Sequence, residues 1–206
     1  MPDPVKAGRR RSAAPSKGDR REAEILEALE DLLALKSFDA LTTNDIAERA
    51  GLSRASMYFY FSSKQEALVA LFAKTVEALQ EKSRAAAGDP AEPREAIATA
   101  MRRTLDRWRE HGLMMRVAID QSPAIPEIGA LWTETAEIFV DAITAILVRA
   151  GVASHEGPDG AGALAGALCW MVERTFYRAS AVSPEALDQA AETCRVVWLR
   201  TAGIES

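Results

Sequence analysis

The sequence predicts an all-α protein of about nine helices, with a small N-terminal three-helix helix-turn-helix head and a larger C-terminal helical body. Three observations lead to this class. Apolar residues recur every three or four positions through most of the chain, no stretch alternates strictly between apolar and polar residues, and prolines cluster at a few joints. Because 48% of the 206 residues are hydrophobic, the chain can bury a substantial core.

Positive charge is concentrated at the N-terminus, although the whole chain carries a net charge of -5. The first 21 residues contain seven lysines and arginines and only two aspartates. Residues 1–18 are also rich in proline and glycine, which predicts a disordered basic arm. Such an arm suits a local contact with phosphate, and it is equally typical of a solvated tail. Both interpretations stay open.

The head is predicted to span residues 19–66. Its first helix begins after Asp19, a capping residue with Glu22 three positions later, and ends near Lys36. Apolar residues at helical spacing follow this cap, so one side of the helix faces a core.

Two short helices complete the head. Thr42 or Thr43 caps the first of them, and Ser53 caps the second, which runs to about Tyr60. Gly51 separates the two helices, because glycine adopts the left-handed backbone of a helix end without steric cost. This spacing predicts a helix-turn-helix, whose second helix can enter a DNA major groove.

The body is predicted to span residues 67–206, and it shares with the head a long helix that opens with the capping sequence at Ser63. After the breaks at Gly88, Pro90 and Pro93, a helix is predicted to end at Gly112, with a short helix from there to about Asp120. Three further helices are predicted over Glu127–Ala150, Ala161–Ala181 and Pro184–Thr201.

The outward face of the helix-turn-helix is predicted to carry hydroxyl, amide and cationic groups, which bond phosphate oxygens and base edges. Arg54 starts the second helix, where it can reach a guanine or a phosphate. Thr43, Tyr58 and Lys64 are interpreted as phosphate contacts. The predicted DNA-binding residues are Thr43, Asn44, Ser53, Arg54, Ser56, Tyr58, Tyr60 and Lys64.

The segment LTTNDIAERAGLSRASMYFYFSSKQEAL resembles the DNA-binding signature of the tetracycline-repressor (TetR) family of regulators. The resemblance covers residues 20–72. In the body, ALWTETAEIF, ALCWMVERTFY and VVWLRTAG are similar to the branch of that family that contains the mycobacterial ethionamide-resistance repressors. This second resemblance implies a nine-helix protomer, a homodimer and a long apolar tunnel that accepts hydrophobic ligands.

Carried over position by position, the resemblance implies a set of residues that line this tunnel. Cys169 and Val172 stand where that branch has asparagines that hydrogen-bond ligand, so less polar molecules are expected here. Aromatic and aliphatic residues at helical spacing are equally typical of an ordinary core. The implied lining residues are Ile97, Thr104, Trp108, Trp132, Phe139, Ala142, Ile143, Cys169, Val172, Phe176, Tyr177 and Trp198.

The last two helices are predicted to form the dimer interface. Gly160, Gly162 and Gly166, with alanines between them, give the first of these helices a thin face that allows close packing. The alternative is packing within one chain. Glu173 and Arg174 lie in the same helix, where a buried ion pair or an interface contact is expected.

Catalysis and metal binding are not expected. The chain has no Ser-His-Asp set, no phosphate-binding glycine loop and no Cys/His spacing typical of metal sites, so no cofactor is expected. Cys169 and Cys194 are interpreted as buried, reduced thiols. The longest apolar run, from Ala161 to Val172, is too short to span a bilayer. We therefore expect a cytoplasmic protein without membrane contact.

The sequence favours a ligand-responsive repressor. It would bind a palindromic operator on double-stranded DNA as a homodimer and be released by a small hydrophobic effector. A constitutive DNA-binding protein is the alternative, in which the body would be a solid core that serves only dimerisation. An enzyme with a helical fold is disfavoured by the missing catalytic groups.

Overall fold

The computed structural model describes residues 16–84 and 92–205, and the side chains of all of these except residues 78–84. The described residues form eight α-helices and one short 3₁₀ turn, Phe38–Ala40, and contain no strand, which confirms the predicted all-α class. The helices are α1 Lys17–Leu33, α2 Thr43–Arg49, α3 Arg54–Tyr60, α4 Lys64–Arg84, α5 Pro93–Gln121, α6 Pro126–Arg149, α7 Ala161–Ser180 and α8 Pro184–Thr201.

The first helix begins earlier than predicted. Ser16 is its capping residue, and Asp19 lies one turn inside the helix, where its carboxylate accepts a hydrogen bond from the Ser16 backbone N–H at 2.8 Å. The Ser16 hydroxyl accepts from the Asp19 N–H in return, which completes a reciprocal capping box. The prediction that Asp19 is the cap was therefore wrong by three positions. The basic residues predicted in the arm up to position 15 lie outside the described residues.

The helix-turn-helix forms where it was predicted. Thr42 caps α2, and Asp45 completes a capping box by accepting a hydrogen bond from the Thr42 N–H at 2.7 Å. Gly51 has a φ of 66°, a left-handed conformation that turns the chain between the two helices. Ser53 then caps α3 through a hydrogen bond from the Ser56 N–H. Buried side chains of both helices, Ile46 and Met57 among them, join the core of the head.

The predicted break at Gly112 does not exist. Residues Pro93–Gln121 form one continuous helix, so the described residues contain eight α-helices where about nine were predicted. Gly112 is buried, and a β-carbon there would lie 3.7 Å from both Ser180 and Trp108. Glycine therefore marks a place where α5 lies close to other side chains. Tertiary packing keeps the helix continuous through Gly112.

The described residues form two apolar cores, and residues of α5 and α6 contribute to both. The first joins the head to the body, because Met114, Ala118, Ile125 and Ile128 from α5, α6 and the connection between them complete the core of α1–α4. The second lies among α5, α6, α7 and α8. Trp132 of α6 packs against both cores. Apolar side chains of α5 and α6 thus hold the head against the body.

Two glycine substitutions should have opposite effects on stability. Gly112→Ala should raise the free energy of unfolding by about 1 kcal/mol, because alanine favours a helix and its methyl group makes only ordinary contacts there. Gly51→Ala should lower the free energy of unfolding by about 1 kcal/mol, because the left-handed backbone disfavours a β-carbon. Urea unfolding of the two variants measures both changes. A loss at Gly112 would contradict the described packing.

Candidate nucleic-acid interface and ligand cavity

The face of α2 and α3 brings the predicted DNA-binding residues together at one side of the head. Asn44, Ser53, Arg54 and Tyr58 are exposed, and Thr43, Ser56, Tyr60 and Lys64 are half-buried. A shallow depression on this face is bordered by the start of α2, one side of α3 and the start of α4. Its wall contains Leu41, Thr42, Thr43, Asn44, Arg54, Tyr58, Ser62, Ser63, Lys64 and Gln65.

Arg54 and Tyr58 act as one unit on the exposed side of α3. The Arg54 guanidinium donates a long hydrogen bond to the Tyr58 hydroxyl at 3.4 Å and lies 5.5 Å from the centre of the Tyr58 ring. This bond, and then one from Thr43, lowers the pKa of the Tyr58 phenol. Each position lies one helical turn from the other, so the pair offers a cation and a hydroxyl to the same surface.

Three of the other predicted residues are engaged in local hydrogen bonds. The Ser53 and Ser56 hydroxyls lie 2.9 Å apart at the start of α3. The Asn44 side-chain amide donates to the Glu48 carboxylate at 2.7 Å. These bonds orient polar groups at the surface, and each group is exposed or half-buried, so it can exchange its partner for a DNA group.

Lys64 stabilises the head itself. Its ammonium group donates to the backbone carbonyls of Phe38 at 3.0 Å, Asp39 at 3.3 Å and Leu41 at 2.7 Å. It also lies 4.7 Å from the centre of the Phe38 ring. All three N–H donors of the ammonium are thus used to hold the 3₁₀ turn against the start of α4. A phosphate contact by Lys64 stays a prediction. In such a contact, the ammonium group would bind a phosphate in addition to the backbone carbonyls that it already holds.

Phe59 is a candidate contact that the sequence reasoning missed. Its ring is 83% exposed on α3, whereas the adjacent Tyr60 is half-buried and packs against the head core. The two rings contact edge to face, with centroids 5.2 Å apart. The signal was available, because Met57 and Phe61 point into the core at helical spacing and Phe59 lies opposite them.

The body contains a cavity of about 510 Å³ between α5, α6 and α7. This volume lies in the range of small-molecule sites. Most of its wall is apolar, and hydroxyl and charged groups lie among the aromatic and aliphatic side chains. Nine of the twelve predicted lining residues border it: Thr104, Trp108, Trp132, Phe139, Ala142, Ile143, Cys169, Val172 and Trp198.

The structure does not bring the other three predicted residues to the cavity wall. Ile97 and Phe176 are fully buried in the body core, where Phe176 packs against Trp108 with ring centroids 6.1 Å apart. Tyr177 donates its hydroxyl to the Asp120 carboxylate at 2.6 Å. That hydrogen bond raises the pKa of the Tyr177 phenol. Helical periodicity alone cannot separate a residue that faces a cavity from one that faces its neighbours.

The cavity wall also contains charged residues that were not predicted to line it. Glu173 accepts a hydrogen bond from the Trp132 indole N–H at 3.1 Å, and its side chain is only 13% exposed. The Arg174 guanidinium lies 3.7 Å from the Glu173 carboxylate and pairs with it, but Arg174 is 59% exposed, so the pair is only partly buried. Other charged wall residues are Arg103, Arg107, Asp141 and Arg149.

Cys169 lies on the wall near this carboxylate. Burial, and then the negative charge of Glu173, raises the pKa of the Cys169 thiol to about 11. The thiol is therefore protonated at neutral pH and behaves as a small apolar wall group rather than as a nucleophile. Cys194 is buried in the body core, and burial raises the pKa of its thiol as well.

Trp132 connects the cavity with the head. Its indole forms part of the cavity wall, and its ring packs against Phe72 of α4 with centroids 5.8 Å apart. Phe72 is fully buried in the core that holds the helix-turn-helix. A displacement of the Trp132 ring therefore acts directly on the packing of α4 against α6.

Neither a metal site nor a membrane span is found among the described residues. No group of three or more histidines, cysteines or carboxylates lies close enough to hold a metal ion in residues 16–77 and 92–205. In the same part of the chain, no helix combines the length and apolar character needed to cross a bilayer.

Comparison with known proteins decides the family. The family model for the N-terminal domain of bacterial regulatory proteins of the tetR family matches residues 25–71, and the C-terminal domain of the transcriptional regulator EthR matches residues 94–202. The regulator EthR of Mycolicibacterium smegmatis is 32% identical over 200 residues, which cover 93% of this chain and 90% of that protein. EthR of Mycobacterium tuberculosis is 30% identical over 198 residues, covering 92% and 90%. The chain belongs to the TetR family.

Solved structures of other transcriptional regulators show the same fold. A transcriptional regulator from Rhodococcus sp. RHA1 superposes with a TM-score of 0.71 at 21% identity and covers 90% of this chain and 99% of its own. FadR of Thermus thermophilus, a TetR-family repressor solved in complex with lauroyl-CoA, gives a TM-score of 0.61 at 20% identity, covering 90% and 96%. The chain is accordingly a helix-turn-helix transcriptional regulator, and the relatives it matches are regulators rather than enzymes.

Substitution of Lys64 should destabilise this TetR-type head. Lys64→Met keeps the apolar stem and removes three N–H donors, so three backbone carbonyls lose their partner. We expect the free energy of unfolding to fall by about 2 kcal/mol, the usual scale for bonds to a charged group. Urea unfolding measures the change. Lys36→Met, which removes an exposed ion pair with Asp45, is the control and should cost less. Equal losses would argue against a structural role for Lys64.

Proposed function

We propose that the chain is a homodimeric repressor that binds a palindromic operator and is released by a small hydrophobic effector in the body. The observation that carries this proposal is the position of Trp132, which borders the cavity and packs against Phe72 in the head core. An effector that moves Trp132 would act on the helix-turn-helix through one layer of side chains.

The DNA-binding part of the proposal rests on the exposed face of α3. Arg54 and Tyr58 present a cation and a hydroxyl, and Phe59 adds an exposed apolar ring on the same short helix. Cations and hydroxyls bond phosphates and base edges, and an aromatic ring can contact a thymine methyl. Two such helices in a dimer would enter successive major grooves about 34–36 Å apart. The operator would then be a palindrome.

The dimer is proposed to form through α7 and α8. A β-carbon at Gly162 or at Gly166 would meet nothing within 4 Å, so both positions lie on an open face of α7. Trp170, one turn further along the helix, borders the cavity and is also 46% exposed. Gly160 does not belong to this face, because a β-carbon there would collide with the backbone oxygen of His155. A thin face flanked by an exposed aromatic ring suits close packing against a second copy.

Release would follow from a difference in affinity between two arrangements of the protein. A ligand that fits the cavity better when α6 has shifted draws the protein toward that arrangement, and the head moves with α6 because their cores are joined. FadR, a protein of this fold, was solved in complex with lauroyl-CoA, in which a twelve-carbon acyl chain is attached to anionic coenzyme A. An apolar chain is a fitting occupant for the cavity described here.

A constitutive DNA-binding protein is less well supported. That alternative requires a solid body core, whereas the body contains a cavity of about 510 Å³ with a largely apolar wall. Unfilled apolar volume destabilises a protein, so a cavity of this size favours a ligand function.

The division of the chain follows the same proposal. The predicted domains would be residues 19–66 for DNA binding and residues 67–206 for ligand binding and dimerisation; of the predicted basic arm, residues 1–18, the last two belong to α1 and so to the DNA-binding domain. The protein would act in the cytoplasm, where operator DNA and small effectors meet.

Two substitutions on α3 should separate base reading from phosphate contact. Tyr58→Phe should weaken binding to all DNA sequences about equally, because it removes a hydroxyl that contacts phosphate. Arg54→Ala should relax the base preference by roughly tenfold at one position of each half-site if the guanidinium reads a base. Duplexes selected from a random library by the wild-type protein, and then titrated with both variants, measure this. An unchanged preference in Arg54→Ala would place that group on the backbone.

The dimer surface can be tested independently of DNA. Gly166→Glu adds a charged side chain to the thin face of α7 and should produce a monomer at micromolar concentration, measured by light scattering after size exclusion. Ala130→Glu, at an exposed position of α6, is the matched control and should remain dimeric. A monomeric wild-type protein, or a dimeric Gly166→Glu variant, would exclude this interface.

A further inference from the structure

Glu173 places a largely buried carboxylate at the wall of the cavity, and its hydrogen-bonding capacity is only partly used. Its side chain is 13% exposed, and Oε2 accepts from the Trp132 indole N–H at 3.1 Å. Oε1 lies 3.7 Å from the Arg174 guanidinium, which is too long for a hydrogen bond, and no other donor in residues 16–77 and 92–205 reaches it. Because a carboxylate can accept about four hydrogen bonds, Oε1 has unused capacity.

Arg174 compensates the charge of this carboxylate without donating a hydrogen bond to it. The Arg174 guanidinium lies 4.9 Å from the centre of the Tyr177 ring, and the side chain is 59% exposed, so the cation stays toward solvent. At its distance from Oε1 it supplies an opposite charge as an ion pair. Glu173 therefore lacks a hydrogen-bond donor rather than a positive charge.

The polar groups of the neighbouring wall already give their protons to backbone carbonyls. The Thr135 and Thr104 hydroxyls each donate to the carbonyl of the residue four positions earlier, at 2.7 and 2.9 Å. The Cys169 thiol donates to the Ala136 carbonyl, with 3.9 Å between sulfur and oxygen. None of these groups has a proton left for the carboxylate, so a donor to Oε1 has to come from a molecule inside the cavity.

The other charged residues of the wall disfavour a charged group at this position. Arg103, Asp141 and Arg149 are exposed, so solvent screens their charges. Arg107 is half-buried, with its guanidinium 5.2 Å from the centre of the Phe139 ring. Three arginines and two carboxylates border the cavity in all, so an added ammonium group would meet more positive than negative charge. An anion beside the carboxylate would be repelled by it, and a neutral donor avoids both costs.

We infer that the effector carries a neutral hydrogen-bond donor, a hydroxyl or an amide N–H, at one end of a hydrocarbon body, and that this donor binds Oε1 of Glu173. The inference rests on the proposed ligand function of the cavity and names the chemical class of the ligand. Hydrogen bonds to a charged group are among the stronger ones, and a molecule of the same size without a donor leaves the carboxylate oxygen unpaired. The residue after Val172 thus supplies a polar anchor, although Cys169 and Val172 carry no amide.

This anchor lies at the end of the cavity where the head contributes to the wall. Trp132 would share the carboxylate with the ligand, and its ring packs against Phe72. Val76, one turn after Phe72 on α4, borders the cavity itself and is buried in the core of the head. Phe139 follows Trp132 by seven residues on the α6 wall, a distance of about 10 Å at 1.5 Å per helical residue. A nine-carbon chain anchored at Glu173 would span this distance.

Two isomeric probes test the donor. 1-Nonanol and methyl octyl ether contain the same atoms and one oxygen each, and only the alcohol donates a hydrogen bond. Both, together with nonylammonium, are titrated into the full-length protein and followed by calorimetry. We expect 1-nonanol to bind about tenfold more tightly than the ether, and nonylammonium to bind no more tightly than 1-nonanol. Equal binding of the two isomers, or tighter binding of nonylammonium, would overturn the inference.

The variant Glu173→Gln locates this preference on the protein. A glutamine whose oxygen accepts from the Trp132 indole turns its NH₂ group toward the ligand, and the oxygens of alcohol and ether accept from that group alike. We expect the tenfold difference to vanish, whereas a general loss of packing would weaken both probes and leave their ratio intact. Glu137→Gln is the matched control, because Glu137 is exposed on α6 and does not border the cavity. A ratio that survives in Glu173→Gln would overturn the inference. If this variant unfolds, the two isomers still decide the matter in the wild-type protein.

Operator release is measured separately, so that the two proposals can fail independently. The same probes are added to the complex of wild-type protein with its selected duplex. If 1-nonanol binds with the expected preference and the complex persists, the ligand class stands and the release scheme fails. If both isomers bind equally and both release the duplex, the release scheme stands and the ligand class fails. If no probe binds, the ligand function of the cavity fails and the ligand class with it.

Discussion

The DNA-reading head depends on apolar side chains that belong to the body. Its core is completed by Met114 and Ala118 from α5, and by Ile125 and Ile128 at the start of α6. Small helical units bury too little surface to be stable alone, so this shared core fixes the head in place as well as stabilising it. Because α5 and α6 are also two walls of the cavity, the position of the helix-turn-helix is tied to the shape of that cavity.

Two charged side chains of the head and the body, Lys64 and Glu173, orient the groups around them. Lys64 donates its three N–H groups to backbone carbonyls of the 3₁₀ turn and of Leu41, which joins α4 to the segment before α2. Glu173 holds the indole of Trp132 through a single hydrogen bond at the wall of the cavity. Both interactions use a charged group where a precise orientation matters, since such bonds are stronger and more directional than apolar contacts.

The sequence predicted the local features and missed those that depend on distant neighbours. The caps at Thr42 and Ser53, the turn at Gly51 and the bounds of α8 were correct because each follows from side chains within a few residues. Gly112 was taken as a helix end because its role depends on Ser180, 68 positions later. Nine of the twelve residues that the family resemblance implied border the cavity. Arg103, Arg107 and Arg149 on the wall were missed, because helical periodicity does not show where a cavity lies.

In the proposed release scheme, the shared ring of Trp132 would set a condition on which ligands can act. Its indole lies at one end of the cavity, is fixed by Glu173 and packs against Phe72 of the head core. A molecule that fills only the far end, near Ala96 and Arg149, leaves that ring in place and has no differential affinity for a shifted head. In the proposed release scheme, occupancy and response would therefore be separate properties of this cavity, and only a ligand long enough to displace the indole would link them.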